Sequence, residues 1–359
     1  MRWDHNNLKV FMDISTYCNA GCPQCHRTDS NGLGKVDWLP LVQWSIDDFK
    51  KAFPPEQLQY IQQFHFCGTW GDPMMAKDIM KIMQYCKEQK PNIRLSADTN
   101  GSLRNEDFWW ELGATLGKNL RVCFDIDGIN QKMHETYRRF TDLNKVLTHM
   151  EILSQTNAIV ASQTVLFKHN QDYKDEIKTL AMEHGSQLHT YIISDRFGTK
   201  DAVEESKTKS VFWSDKGEKF NLEMADIDTL PKGIISGTKT NTLSSTIVCR
   251  WAMPRNEIVV NPDGQVVPCC FHANSLYGGT ASHKNGIAAG PGSEHYKEYL
   301  DNAKAYNVFH TPLTEIMTSK WYTKTLPASI KSDNPIRLCE NNCSSRNKKQ
   351  HQLREAHGT

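Results

Sequence analysis

The sequence predicts an α/β protein: an open, partial (β/α)6 barrel followed by a small cysteine-rich domain that contains a β-hairpin. Three observations predict it. Short β-like runs alternate with amphipathic helical stretches six times within about 190 residues, the rhythm of a parallel sheet with crossover helices. A polar stretch then breaks that rhythm. Beyond it, two apolar runs flank a Pro-Asp-Gly turn and lead into a second group of cysteines.

The elements follow in order. Residues 8–14 are apolar and β-branched and end where a cysteine-bearing loop begins. Residues 60–66 form the second strand. A helical pattern follows, with Met75, Ile79, Ile82, Met83 and Cys86 on one face. Residues 93–97 are the next strand, and 103–116 read as a helix with indole and leucine side chains inward. Residues 120–126 are strand-like and 143–153 helical. Residues 159–167 are strand-like again. Tyr173, Ile177 and Leu180 mark another helix face, and 188–193 close the series. Six units are too few to close an eight-stranded barrel, and ligands of such sheets lie at the carboxyl ends of the strands.

The polar stretch is rich in Lys, Thr and Ser and weakly periodic. It reads as a linker or an insertion that orders on substrate, a solvated connection being the plainer alternative. Four segments result: a core over 1–195, a linker or insertion over 196–248, a cysteine-rich domain over 249–346 and a charged tail over 347–359. Residues 275–293 are Gly- and Ser-rich and read as a surface loop.

Composition narrows the function classes. The chain has 359 residues, enough for about two domains, and its 42 basic and 41 acidic residues leave a net charge of +1. That balance gives no reason to expect a nucleic-acid or membrane surface. No apolar run reaches membrane-spanning length, and residues 1–9 lack an apolar signal core. The 11 cysteines are odd in number and clustered as ligands are, so a reducing cytoplasm is expected rather than a disulfide framework.

Cys18, Cys22 and Cys25 form C-x3-C-x2-C on one short loop. Three thiolates at that spacing can hold three irons of a cubane cluster and leave the fourth open to a small molecule. Zinc is the rival, with His26 as a fourth ligand. Gly68-Thr69-Trp70-Gly71-Asp72-Pro73 follows the second strand. Its glycines admit a close ligand, and its carbonyls and the Asp72 carboxylate suit an ammonium group; alone it is a plain turn. Thr99-Asn100-Gly101 follows the third strand. Asp125 and Asp127 alternate onto one side at the end of the fourth, and Arg138 or Arg139 can hold a carboxylate. Singly, these are turns and surface ion pairs. Cys67, Cys86 and Cys123 read as buried and inert. His65 and His134 could move protons, but no catalytic acid or base is assigned.

The second group is Cys249, Cys269, Cys270, Cys339 and Cys343. A hairpin over 258–267 delivers Cys269 and Cys270, and Cys339 and Cys343 form a C-x3-C pair. Four thiolates from three segments suffice for a complete cluster, or for a zinc knuckle. Cys249, Cys269, Cys339 and Cys343 are the preferred set, with Cys270 spare or alternative.

C-x3-C-x2-C after the first strand, G-x-x-G-D-P after the second, TNG after the third and D-x-D-G after the fourth resemble the radical SAM enzymes. The resemblance covers about residues 8–195. It implies a [4Fe–4S] cluster on Cys18, Cys22 and Cys25, chelated by S-adenosylmethionine. Residues 70–73 look like the family's GGEP turn, so Gly68, Thr69, Trp70, Gly71, Asp72 and Pro73 are expected around the methionine amino group. Thr99, Asn100 and Asp125 are expected near the ribose and methionine, Arg138 near the carboxylate, and Gln163 and Val165 near adenine. Gln24 stands where the family often has an aromatic residue, Trp70 and Asp72 replace a glycine and the glutamate of GGEP, and Asp125 stands in a motif that often begins with serine. The implied chemistry is reductive cleavage to a 5′-deoxyadenosyl radical that abstracts a hydrogen atom, with flavodoxin or ferredoxin as reductant.

The "NPDGQVVPCC" turn and the terminal cysteine pair resemble the SPASM/twitch extension of this family, and the cysteine count implies one auxiliary [4Fe–4S] cluster. Peptide or protein modification, by oxidation or crosslinking, is the preferred function. The alternative is dehydrogenation of a small alcohol or sugar, the auxiliary cluster accepting an electron. Outside enzymes, the rivals are a zinc-binding interaction module and an electron carrier with two clusters.

Overall fold

A computed structural model describes residues 1–194, 196–197, 204–205, 208–226, 247–277 and 292–344. Six parallel strands lie side by side in chain order: β1 (Leu8–Met12), β2 (Ile61–Phe66), β3 (Arg94–Thr99), β4 (Leu120–Asp125), β5 (Ile159–Leu166) and β6 (Leu188–Ile193). Helices Ile46–Ala52, Ile79–Gln89, Glu106–Leu116, Leu143–Ser154 and Lys174–Glu183 lie in the five crossovers between them.

Alternation along the strands sorts the side chains. Leu8, Val10 and Met12 of β1 and Phe64 and Phe66 of β2 are fully buried in the core under the helices. The opposite, concave face is polar. His65 Nδ1 meets Ser96 Oγ at 2.7 Å, and His65 Nε2 meets Asp98 Oδ2 at 3.2 Å, across β2 and β3.

Helix Glu106–Leu116 starts later than its apolar pattern suggests, because the Asn105 side chain caps it by accepting from the Phe108 N–H. Its two indoles part: Trp109 is buried, while Trp110 is 50% exposed, since neighbours in a helix point about 100° apart. Met75 lies in a short turn, Pro73–Met75, ahead of its expected helix. Tyr173 precedes the helix it was expected to mark and is exposed.

The sheet is wider than six strands. β10 (Glu257–Val260) pairs parallel to the free edge of β1, and β11 (Val266–Val267) pairs antiparallel to β10. The expected hairpin therefore extends the barrel sheet. Its turn places Gly264 at φ +84°, and a Cβ there would lie 2.5 Å from Phe309. The outer edge at β11 is buried, and Tyr299 and Tyr322 each donate a hydroxyl to the Val266 carbonyl, at 2.7 and 3.0 Å.

The described part of the polar insertion is more regular than its composition suggests, while 198–203, 206–207 and 227–246 lie outside the described residues. β7 (Glu204–Glu205), β8 (Lys209–Trp213) and β9 (Lys219–Glu223) form a three-stranded antiparallel sheet. Val211, Phe212 and Leu222 are buried, too few apolar positions on such short strands to stand out among the surrounding Lys and Thr. Of the expected Gly- and Ser-rich loop, residues 275–277 end helix Cys270–Tyr277, and 278–291 lie outside the described residues, as does the tail over 347–359. Among the described residues, no helix is long and apolar enough to cross a membrane.

Candidate active site

The C-terminal ends of β1 to β5 converge on the first cysteine loop. Gly21 allows the loop to pass close beneath the segment at 138–140: its N–H donates to the Arg139 carbonyl at 3.1 Å, and a Cβ there would lie 2.7 Å from Phe140. Cys18 Sγ accepts from the Ala20 N–H at 3.4 Å. Asn100 Nδ2 lies 3.8 Å from the same sulfur, and Arg138 Nη1 lies 3.9 Å from Cys22 Sγ. The loop thus collects donors around its sulfurs, as a thiolate-bound group requires.

Burial pushes the Cys18 thiol far up and the Cys22 thiol to about 12. Such thiols stay protonated unless a cation sits among them, and the irons of a bound cluster would supply that charge. Nearby, Gln24 Nε2, Arg27 Nε and Trp70 Nε1 are buried without a partner. Unpaired donors beside three thiols fit a site shaped around an absent polar group. Among the described residues, no group of three or more His, Cys, Asp or Glu side chains is placed to hold a single metal ion. A cubane spreads its thiolates over separate irons, so its ligands do not meet at one point.

The turn after β2 is locked to β1. Asp13, which sequence reading passed over, accepts from the Thr69 and Trp70 N–H groups at 2.8 and 3.1 Å. A lone carboxylate closing an apolar strand was the available signal. Gly71 admits no side chain, because a Cβ would lie 2.2 Å from the Ser15 carbonyl oxygen. Asp72 departs from expectation. Its buried carboxylate accepts from Thr99 Oγ1, Met74 N, Asn100 N and Asn100 Nδ2. It therefore ties the turn to the Thr99-Asn100-Gly101 loop and does not face an open site. Gly68 and Pro73 shape the same turn, and Trp70 packs between His26, Trp38 and Tyr277.

The β4 end also closes on itself. Arg138 pairs with Asp125 at 2.8 Å and Asp127 at 2.5 Å. Burial opposes its charge, but the two carboxylates outweigh that and hold it protonated. Burial raises Asp125 to about 7 although Arg138 pulls it down. Gln163 Nε2 donates to Asp125 at 2.7 Å, and the Val165 N–H donates to Asp127 at 2.6 Å. Arg138 and Gln163, expected to reach a ligand directly, are thus engaged with Asp125. Gln24 keeps an unpartnered Nε2, while its Oε1 accepts from Ser194 and its carbonyl from Arg196 at 2.6 Å.

The insertion covers this loop. The Trp213 N–H donates to the Ser30 carbonyl and the Gly32 N–H to the Trp213 carbonyl, both at 2.9 Å. Phe212 and Leu222 are buried with Ala20, Cys22, Leu33, Tyr137, Val165 and Phe167, and Cys18 and Cys25 pack against that group. An apolar wall at the cysteines excludes water.

The second cysteine group assembles at the other end of the sheet, because β11 runs back from the turn that ends β10. Cys339 and Cys343 sit one turn apart on helix Arg337–Cys343. The Val248 N–H donates to the Cys343 carbonyl at 3.0 Å, which brings Cys249 alongside. Cys249, Cys269, Cys339 and Cys343 line one pocket with Trp251, Phe271 and His272. Cys270 is not among its lining residues. Burial raises all four thiols, Cys343 to about 12. His272 Nε2 lies 3.5 Å from Cys339 Sγ, a contact that sequence reading missed.

Comparison with known proteins adds to this geometry. The model of the radical SAM superfamily matches residues 12–181, and that of an iron–sulfur cluster-binding domain, SPASM, matches 249–344. Two curated relatives are GTP 3′,8-cyclases. That of Saccharophagus degradans is 22% identical over 187 residues, 50% of this chain and 52% of the relative, so the chain spans about half its length. That of Campylobacter curvus is 22% identical over 333 residues, 88% of this chain and 95% of the relative. Among solved structures, Streptococcus suis SuiB bound to precursor peptide SuiA has a TM-score of 0.55 at 13% identity, covering 92% of this chain and 68% of that one. Native anSMEcpe with bound AdoMet and Kp18Cys peptide has a TM-score of 0.55 at 14% identity, covering 98% of each chain. At these identities the structural likeness is one of fold. The two family matches set aside the zinc-binding module and the simple electron carrier.

Proposed function

Because this chain belongs to the radical SAM superfamily and carries a C-terminal SPASM domain, an enzyme of S-adenosylmethionine and [4Fe–4S] clusters, we propose that it oxidises or crosslinks a peptide or protein side chain. When bound, the cofactor pair supplies a 5′-deoxyadenosyl radical able to take a hydrogen atom from a C–H bond. On this reading Cys18, Cys22 and Cys25 hold the first cluster. The turn at 68–73, tied down by Asp13 and Asp72, positions the methionine end, and Gln24 offers Nε2. Cys249, Cys269, Cys339 and Cys343 hold an auxiliary cluster. Residues 1–195 and 249–346 are the two functional segments, joined by one continuous sheet.

One observation carries the proposal: the two cysteine groups sit at opposite ends of the same sheet. β1, five residues and roughly 16 Å long, runs between those two ends. The concave face between them carries Phe11, His65 and Asp98. The Phe11 ring lies 6.4 Å from Trp251, which lines the auxiliary pocket. A substrate held there would lie between a site of radical formation and an electron acceptor, the arrangement an oxidation needs. The fold likeness to two proteins solved with peptides supports a peptide substrate. The polar His65–Ser96–Asp98 face supports a second reading, oxidation of a small alcohol or sugar.

The test is anaerobic turnover, with S-adenosylmethionine and a reductant, on short peptides encoded beside the gene and on a panel of small alcohols and sugars. Mass spectrometry should find the modification on peptide. Cys339→Ala and Cys343→Ala should lose modified product while retaining most 5′-deoxyadenosine. Modification of small alcohols or sugars alone would favour the second reading. Equal loss of both products, with the fold intact, would contradict the auxiliary role.

A further inference from the structure

We infer that His272 donates a hydrogen bond from Nε2 to the Cys339 sulfur and thereby makes the auxiliary cluster easier to reduce. The inference rests on the reading that Cys249, Cys269, Cys339 and Cys343 hold that cluster.

The geometry is specific. His272 is 1% exposed and lies three residues after Cys269, in the first turn of helix Cys270–Tyr277. Its ring packs on Tyr296, with centroids 5.4 Å apart, which fixes its plane. Nε2 lies 3.5 Å from Cys339 Sγ. Apart from the cysteines, His272 is the titratable side chain of a pocket otherwise walled by Met1, Ile247, Trp251, Pro268, Phe271 and Leu338.

The tautomer follows from the chemistry of the partner. An iron-bound thiolate can only accept a hydrogen bond, so Nε2 carries the proton. Nδ1 is then the unprotonated nitrogen, and Nδ1 is the atom left buried without a partner. In apolar surroundings an N–H···S bond is stronger than in water. Reduction adds one electron to the cluster and moves no proton at His272. The added charge is spread partly over the sulfurs, so the bond strengthens in the reduced state. Hydrogen bonds to cluster sulfurs are among the levers that set cluster potentials, and one that favours the reduced state raises the potential.

The experiment uses the full chain with Cys18, Cys22 and Cys25 replaced by Ala, so that only the auxiliary irons load. Iron content is measured first, then the midpoint potential by anaerobic titration followed by electron paramagnetic resonance. His272→Phe should lower the potential, leaving about tenfold less cluster reduced at a fixed applied potential, ~59 mV for one electron. His272→Gln, which keeps a terminal N–H, should recover part of that shift. If phenylalanine disturbs loading, His272→Leu reads the same shift. An unchanged potential in an iron-loaded Phe or Leu variant overturns the inference. Loss of the irons from the Phe, Leu and Gln variants alike also overturns it, by marking His272 as a ligand. Absence of iron from the triple-alanine parent refutes the auxiliary site itself, a failure distinct from the other two.

Discussion

Asn100 Nδ2 donates to the buried Asp72 Oδ2 at 2.6 Å, and through that bond the loop after β3 holds the turn after β2. Four donor groups converge on the Asp72 carboxylate. An amide cannot accept from all of them, because half of its polar surface donates. Asp72→Asn should cost about 3 kcal/mol, read as a lower urea midpoint, and should depress 5′-deoxyadenosine formation. A variant as stable and active as the parent would show that the turn needs no such tie.

Arg138 answers two buried carboxylates at once. Arg138→Met strands Asp125 and Asp127 together, and should destabilise by roughly 3–5 kcal/mol in denaturant unfolding. Adding Asp125→Asn should restore part of the loss, because one uncompensated charge is removed. Strict additivity of the two substitutions would contradict the coupling seen in the structure.

Asp13 makes a pH prediction. Burial raises its carboxyl from 3.8 to about 6, and the N–H groups of Trp70 and Thr69 and the Cys67 thiol offset only part of that effect. The folded state therefore holds this proton more tightly than the unfolded chain. The stability it contributes is full below pH 4 and is lost as pH rises through about 6. Asp13→Asn keeps an acceptor for both N–H groups and removes the ionisation. Thermal or urea unfolding from pH 4 to 8 should show the variant gaining on the parent by up to about 3 kcal/mol. A difference that does not change with pH would contradict the assignment.

Much of this molecule was legible in its residues, for identifiable reasons. The strands showed because Leu8, Val10 and Met12, or Phe64 and Phe66, repeat at the two-residue period of a buried face. The cysteine groups showed because their spacing is local. What stayed hidden depends on contacts distant in the chain. Asp72 and Asn100 are 28 residues apart, and only the fold reveals that the carboxylate is already filled by its own chain. Arg138 looked like a ligand-binding cation because nothing in the sequence shows Asp125 and Asp127 closing on it. His272 and Cys339 are 67 residues apart. The pairing of β10 with β1 joins segments nearly 250 residues apart, which no local pattern reports.

On the proposed function, the first cysteine loop carries a cluster with one iron open to S-adenosylmethionine. The most direct measurement is electron paramagnetic resonance of the reduced, anaerobically loaded chain with and without S-adenosylmethionine, paired with assay of 5′-deoxyadenosine. The cofactor should perturb the spectrum and be cleaved, and replacing Cys18, Cys22 and Cys25 by Ala should abolish both effects. A cluster indifferent to the cofactor, or cleavage that survives loss of the three cysteines, would contradict it.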